Sequence, residues 1–178
     1  GVRRRVRYAN NTPYGDATLR YALSDGTATT HADVTVTSSI ITVDRTDAHG
    51  NGDDSNGDAA DGFSLREALA RGVANSGDDK IVLKGLADLS EITLTGSAAT
   101  LGDGDMLDFT GAGSKQLTIS GGLTLAGVGK ITVGGGPATL TISADISGAG
   151  SLETLNPKLL VLSGKNTYAG TTTITNKG

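Results

Sequence analysis

The sequence predicts an all-β chain wound as a β-solenoid and sealed by one short helix. Three observations carry that expectation. After Lys80 the apolar residues fall into nine short β runs with no helical period. The unit that recurs in them is apolar-Thr-apolar, which sends two aliphatic side chains inward and one Thr outward. Large core residues are scarce, with two Phe, four Tyr and no Trp in 178 residues, whereas Gly numbers 27. Small aliphatic pairs with Gly at the corners suit a narrow coil whose like rungs stack. An antiparallel sandwich, the alternative, normally carries several large aromatics in its core.

Composition bounds what the chain can do. Leu, Ile, Val and Phe make up about 22%, just above the ~20% below which disorder is the default. The absence of Cys excludes disulfides, zinc-thiolate sites and a cysteine nucleophile. Only His31 and His49 offer imidazoles, and they lie in different segments. No apolar run approaches the ~18 residues of a membrane helix, and no signal-peptide pattern is present. The chain opens on Gly and closes inside a strand-like pattern, so it reads as an internal piece of a longer protein. Its net charge of −4 conceals basic Arg3, Arg4, Arg5 and Arg7 at one end and six Asp between positions 44 and 61. Without further basic residues or stacking aromatics, the Arg cluster reads as a solvated end and not as a nucleic-acid patch.

Taken in order, Leu19, Tyr21 and Leu23, a Ser24-Asp25-Gly26 turn, then Ala32, Val34 and Val36 predict a hairpin over 17–37. Ile40 to Asp44 reads as a short strand. The Gly/Asp/Asn-rich stretch that follows reads as a loop. Helix signals converge on 64–75. Ser64 and Glu67 form a capping box, and Phe63 can staple onto Ala68. Leu65, Ala68, Leu69 and Val73 share a face, while Asn75 and Gly77 mark the stop. Gly72 is expected to weaken the last turn. At three turns the helix is too short to stand alone, so it must cover something. The β runs then come at intervals of about 6 to 14 residues.

Three stretches resemble known families. ATLRYALSDGTATTHADVTVTSS resembles the last two strands of bacterial cadherin-like or immunoglobulin-like surface repeats, which makes 1–39 part of such a repeat and 40–62 a strand and acidic loop. DGFSLREALARGVANSGDDKIVL resembles the Cys-Ser-Leu-Arg-Glu-Ala segment that opens many secreted right-handed parallel β-helices. Phe63, Ser64, Leu65, Arg66, Glu67 and Ala68 align with it, followed by Ala74, Asn75, Asp79 and Ile81, and Phe63 stands where that family often has Cys. The resemblance implies a β-helix over 63–178 whose helix seals the first coil. Residues 144–178 look like the passenger-associated repeat of autotransporters, through Ile146, Gly148, Gly150, Leu152, Leu162, Gly164, Asn166, Thr167, Tyr168, Gly170, Thr171, Thr172 and Ile174. In the Asn-Thr-Tyr-x-Gly corner, Asn and Gly are expected to supply positive φ and Tyr to cover the bend. Glu153 to Lys158 departs from that repeat, and Pro157 implies an irregular or edge rung.

These resemblances imply a non-catalytic structural or adhesive segment of a secreted autotransporter passenger at the bacterial cell surface. It would reach the outer membrane only through a barrel outside this chain. The expected partners are a host-cell or matrix surface or a carbohydrate, with self-association open and no nucleic acid. Candidate chemistry is sparse. Asp103, Asp105 and Asp108 are the best carboxylate cluster, and β-helix polysaccharide lyases and glycosidases place such groups along one outer sheet. Flanking Gly104, however, Asp103 and Asp105 also read as a turn. No cofactor is expected. Asn51, Asp53, Asn56 and Asp58 are weak Ca²⁺ candidates, which would make the segment a Ca²⁺-rigidified linker; a solvated acidic loop is the alternative. The Ser64 hydroxyl is committed to the cap and not to nucleophilic work. The Thr row 171–173 reads either as an ice- or carbohydrate-binding ladder or as good β-formers on an exposed face.

Overall fold

A computed structural model describes residues 17–24, 29–43, 46, 63–83, 86–111, 115–134, 137–155 and 159–175. β1 (Ala17–Ser24) and β2 (Thr29–Val36) pair antiparallel, with Leu19 opposite Val34 and Tyr21 opposite Ala32, as the alternation predicts. Asp25 and Gly26 of the expected turn lie outside the described residues.

From β3 (Ile40–Val43) onward the pairing is parallel. One wall of the solenoid is a six-stranded sheet. It runs from β3 through β4 (Lys80–Leu83), β6 (Met106–Phe109), β8 (Val128–Val133) and β11 (Ser151–Leu155) to β13 (Thr172–Thr175). From β4 onward the chain leaves this wall after each strand, traverses a second sheet and returns one rung higher. The second sheet stacks β5 (Ser90–Leu101), β7 (Gln116–Leu125), β9 (Thr139–Ile142) and β12 (Leu160–Leu162), with β10 (Asp145–Ser147) also on β7. Partners Lys80, Met106, Lys130, Glu153 and Thr173 mark coils of 26, 24, 23 and 20 residues. The first step, Ile40 to Lys80, takes 40 residues because the acidic stretch and the helix are inserted there.

β5 and β7 each bend midway, at Gly96 (φ 81°) and Gly121 (φ 99°), and register slips between Leu94 and Ala99. A side chain at Gly121 would also strike the Leu94 carbonyl of the rung below. Glycine is therefore required by both the backbone sign and the stacking distance. The two halves of β7 continue upward as separate strands, β9 and β10, so the coil has three walls.

The core is a set of aliphatic columns. Ile41, Ile81, Leu107 and Ile131 stack in one; Val43, Leu83, Phe109 and Val133 in the next; Ile92, Ile119 and Ile142 in a third. In Leu117-Thr118-Ile119, Leu123-Thr124-Leu125 and Leu140-Thr141-Ile142 both aliphatics are buried and the Thr is half-exposed, as the repeated unit requires.

α1 (Leu65–Ala74) packs on β5 at the start of the solenoid. Both halves of the capping box are present: Ser64 Oγ accepts the Glu67 N–H and Glu67 Oε2 accepts the Ser64 N–H. Phe63 bridges Val43 and packs against the core. Arg66 reaches across to the Thr95 and Ser97 carbonyls at the bend of β5, which among the described residues has no strand beneath it. The buried face corrects the sequence reading. It comprises Leu65, Ala68, Leu69 and Gly72, whereas Val73 is half-exposed. Gly72 is buried because a Cβ there would lie 2.6 Å from Asp105 Oδ2, so its small size is a packing requirement. Of 153–158, Glu153–Leu155 belong to a regular strand in the interior of the six-stranded sheet, paired on both sides, while Pro157, on which the expectation of an irregular or edge rung rests, lies outside the described residues.

Candidate functional site

The three carboxylates singled out by sequence come together near β6, but each faces a different way. Asp103 is exposed in the turn before β6, and its Oδ1 accepts the Val128 N–H of the next coil at 2.7 Å. Gly104 follows at φ 83°, which confirms the turn. Asp105 points inward and is 1% exposed; its Oδ1 accepts the Asp79 N–H at 2.9 Å and its Oδ2 the Gly102 N–H at 3.2 Å. Asp108 lies on the outer face of the six-stranded sheet, ion-paired with Lys80, and its Oδ1 accepts the Thr110 N–H at 2.9 Å.

The inward column was not legible beforehand. Ser39, Asp79 and Asp105 occupy the same entry position on successive rungs, each just before a strand of the six-stranded sheet. Asp79 Oδ1 accepts the Ser39 N–H and also the Asn75 amide at 3.0 Å, while Asp79 Oδ2 has no hydrogen-bond partner. Each carboxylate thus satisfies the N–H one coil earlier, a donor that would otherwise be left over in the interior. Burial pushes both carboxyls up, opposed by those hydrogen bonds and reinforced by their mutual repulsion at Asp105. At Asp108 burial also opposes the ionised form. The bonds from Lys80 and Thr110 outweigh it and hold that carboxyl below the ordinary range.

The same device recurs outside. Asp88 Oδ1 accepts the Gln116 N–H at 2.7 Å and Asp145 Oδ1 the Lys165 N–H at 2.7 Å, each joining one coil to the next. Lys130 spans from β8 to Asp78 at 3.0 Å.

Two clefts border these groups. The larger, about 380 Å³, lies where the end of α1 meets the turn before β6, lined in part by Asn75, Asp78, Asp103 and Asp105. Among the described residues no three His, Asp or Glu converge as a metal would require. The smaller, about 240 Å³, opens on the outer face of the six-stranded sheet beside Lys80 and Asp108. Asn51, Asp53, Asn56 and Asp58 lie outside the described residues, as does His49.

The Asn-Thr-Tyr-x-Gly corner stacks on the coil below through Thr167 N–H to Ile146 O at 2.7 Å and Ala169 N–H to Gly148 O at 2.9 Å. Tyr168 packs against the core, and its hydroxyl meets Thr172 Oγ1. The expectation of positive φ at this corner fails. None of Gly164, Asn166 or Gly170 adopts it; that conformation falls one coil earlier, at Gly148 (φ 107°). Gly164 and Gly170 are glycine because a Cβ would collide with the Ala144 and Gly150 carbonyls beneath them. Thr171, Thr172 and Thr173 are exposed on the last rung.

Compared with known proteins, the chain matches no family model, no curated protein and no solved structure.

Proposed function

We propose that this chain is a non-catalytic structural and adhesive segment of a secreted, cell-surface autotransporter passenger. The observation that carries the reading is the commitment of its acidic side chains to stacking. Asp79, Asp88, Asp103, Asp105 and Asp145 each accept a backbone N–H from a neighbouring coil. General acid–base work needs a carboxyl within reach of a substrate proton, and these oxygens already serve the scaffold. The Ser-Leu-Arg-Glu-Ala cap and the Asn-Thr-Tyr-x-Gly corner supply the likeness to exported passengers. A stack with one end sealed by α1 and regular rungs above it is a rigid spacer, suited to holding a surface away from its point of attachment. Its partners in this reading are a host-cell or matrix surface or a carbohydrate.

The test pairs adhesion with hydrolysis. The purified chain is expected to adhere to cultured host cells or matrix-coated wells and to release no new ends from a panel of polysaccharides. Polysaccharide cleavage that disappears in the Asp103→Asn, Asp105→Asn double variant overturns the reading in favour of a carbohydrate-active enzyme.

A further inference from the structure

We propose that the groove on the outer face of the six-stranded sheet, over Asp108, is a binding subsite for a single neutral pyranose ring. This rests on the adhesive reading, whose partner it names.

Outward positions on a solenoid wall ordinarily face solvent, yet Asp108 is 2% and Thr132 8% exposed. They are register partners on adjacent rungs, and the same outward row continues through Leu155 to Thr175. The result is a recess of about 240 Å³, below the ~300–1,000 Å³ of drug-sized sites and suited to one ring.

An ion pair in this place is not explained by stacking. Asp108 is withdrawn from water, which disfavours its charge, while Lys80 stays partly exposed, and an apolar pair of the same volume is often as stable or more so. The neighbouring outward position is a Thr, so the wall does not need charge there. The pair does supply unused bonding capacity. A carboxylate has about four acceptor sites, of which Lys80, the Thr110 N–H and the Thr110 hydroxyl occupy three. The Lys80 ammonium has three donors and gives one to Asp108. A pair of adjacent hydroxyls can therefore donate to Asp108 and accept from Lys80 together, in charge-assisted bonds. Lys80 and Thr110 favour the ionised form of Asp108, in which both oxygens accept. Thr132 and Thr175 line the same recess, the Thr175 hydroxyl donating to Glu153, and Met106 and Leu155 give an apolar surface for the C–H face of a ring. Because Lys80 and Asp108 cancel, the recess favours a neutral polyol over a uronate, whose carboxylate would have to sit against Asp108.

The experiment is an amide-resolved NMR titration of the whole chain with glucose, galactose, mannose and N-acetylglucosamine, and with glucuronate as the anionic control. Neutral sugars are expected to shift the Lys80, Asp108, Thr132 and Thr175 amides with a Kd of about 1–10 mM, an ordinary strength for a one-ring ligand. Asp108→Asn is expected to weaken binding at least about tenfold. Thr132→Val, close in shape, guards against loss of fold by keeping the remaining spectrum while weakening binding. No shift at these amides up to about 100 mM of any neutral sugar, shifts confined to another face, or tighter binding of glucuronate each overturn the proposal. Adhesion without sugar binding would sink the groove and leave the adhesive reading standing. Sugar binding accompanied by cleavage would do the reverse.

Discussion

At the scale of single residues, the buried carboxylates make a signed prediction about pH. Asp79 and Asp105 are each 1% exposed, and burial raises both carboxyls above their ordinary 3.8. Asp79 faces Asn75 and the Ser39 N–H, with Asp78 disfavouring its charge and Arg71 favouring it. Asp105 faces the Asp79 and Gly102 N–H groups, with Asp79 and Asp78 disfavouring its charge. A group whose folded value is raised stabilises the fold below its unfolded value, and that contribution is lost as pH climbs through the folded value. Asp108 has the opposite sign: its folded value is depressed, so its contribution is present above about 3.8 and fades below it. The melting temperature should therefore peak in mild acid and fall toward neutrality. Asp79→Asn keeps an oxygen for the Ser39 and Asn75 donors and removes the ionisation. In that variant the decline above about pH 3.8 should flatten by a few degrees, since about 1 kcal/mol moves Tm by 2–4 °C at this size. An unchanged slope in thermal melts as pH rises from that value would show that Asp79 is not the group being ionised.

At the scale of elements, the helix offers a test in which propensity and packing disagree in sign. Gly72→Ala should stabilise a helix by about 1 kcal/mol on propensity alone. Here the new Cβ meets Asp105 Oδ2 at 2.6 Å, and Asp105 is pinned by the Asp79 and Gly102 N–H groups. Overpacking of this kind costs about 1–3 kcal/mol, so Gly72→Ala should lower stability in chemical denaturation, and a rise would show that the column yields. The same position marks the limit of what sequence shows. The capping box was legible because its partners are three residues apart, and the apolar-Thr-apolar rungs because period two is local. Gly72 looked like a weak point, and Val73 like a core residue, because what decides them is a carboxylate more than thirty positions away. The Ser39-Asp79-Asp105 column was hidden for the same reason: its members are 40 and 26 residues apart and share only a rung position. β11 escaped notice because Glu153 and Thr154 do not read as core, although Thr154 is buried.

At the scale of the whole molecule, the two ends of the stack are unlike, and the difference should set the order of unfolding. Each coil touches only its neighbours, so stability is close to a sum of rung and interface contributions. At the first end α1 covers β5, and Arg66 satisfies the exposed bend. At the other, inward-facing Ile174 of β13 is 71% exposed, where its register partner Thr154 and, one rung lower, Ile131 are buried. Among the described residues β13, Thr-Thr-Ile-Thr, is the edge strand of its sheet and itself carries neither charge nor Pro. Opening the last coil exposes little apolar surface that is not exposed already, whereas opening a middle coil breaks two interfaces. Native-state hydrogen exchange should show protection rising from β12 and β13 toward β6 and β8. Ile174→Ala should cost no more than about 0.5 kcal/mol, while Ile131→Ala in the same column should cost about 2–5 kcal/mol through the cavity it leaves. Equal protection along the stack, or equal costs for the two substitutions, would mean that the coils unfold as one unit and that nearest-neighbour stacking is the wrong description of what holds them.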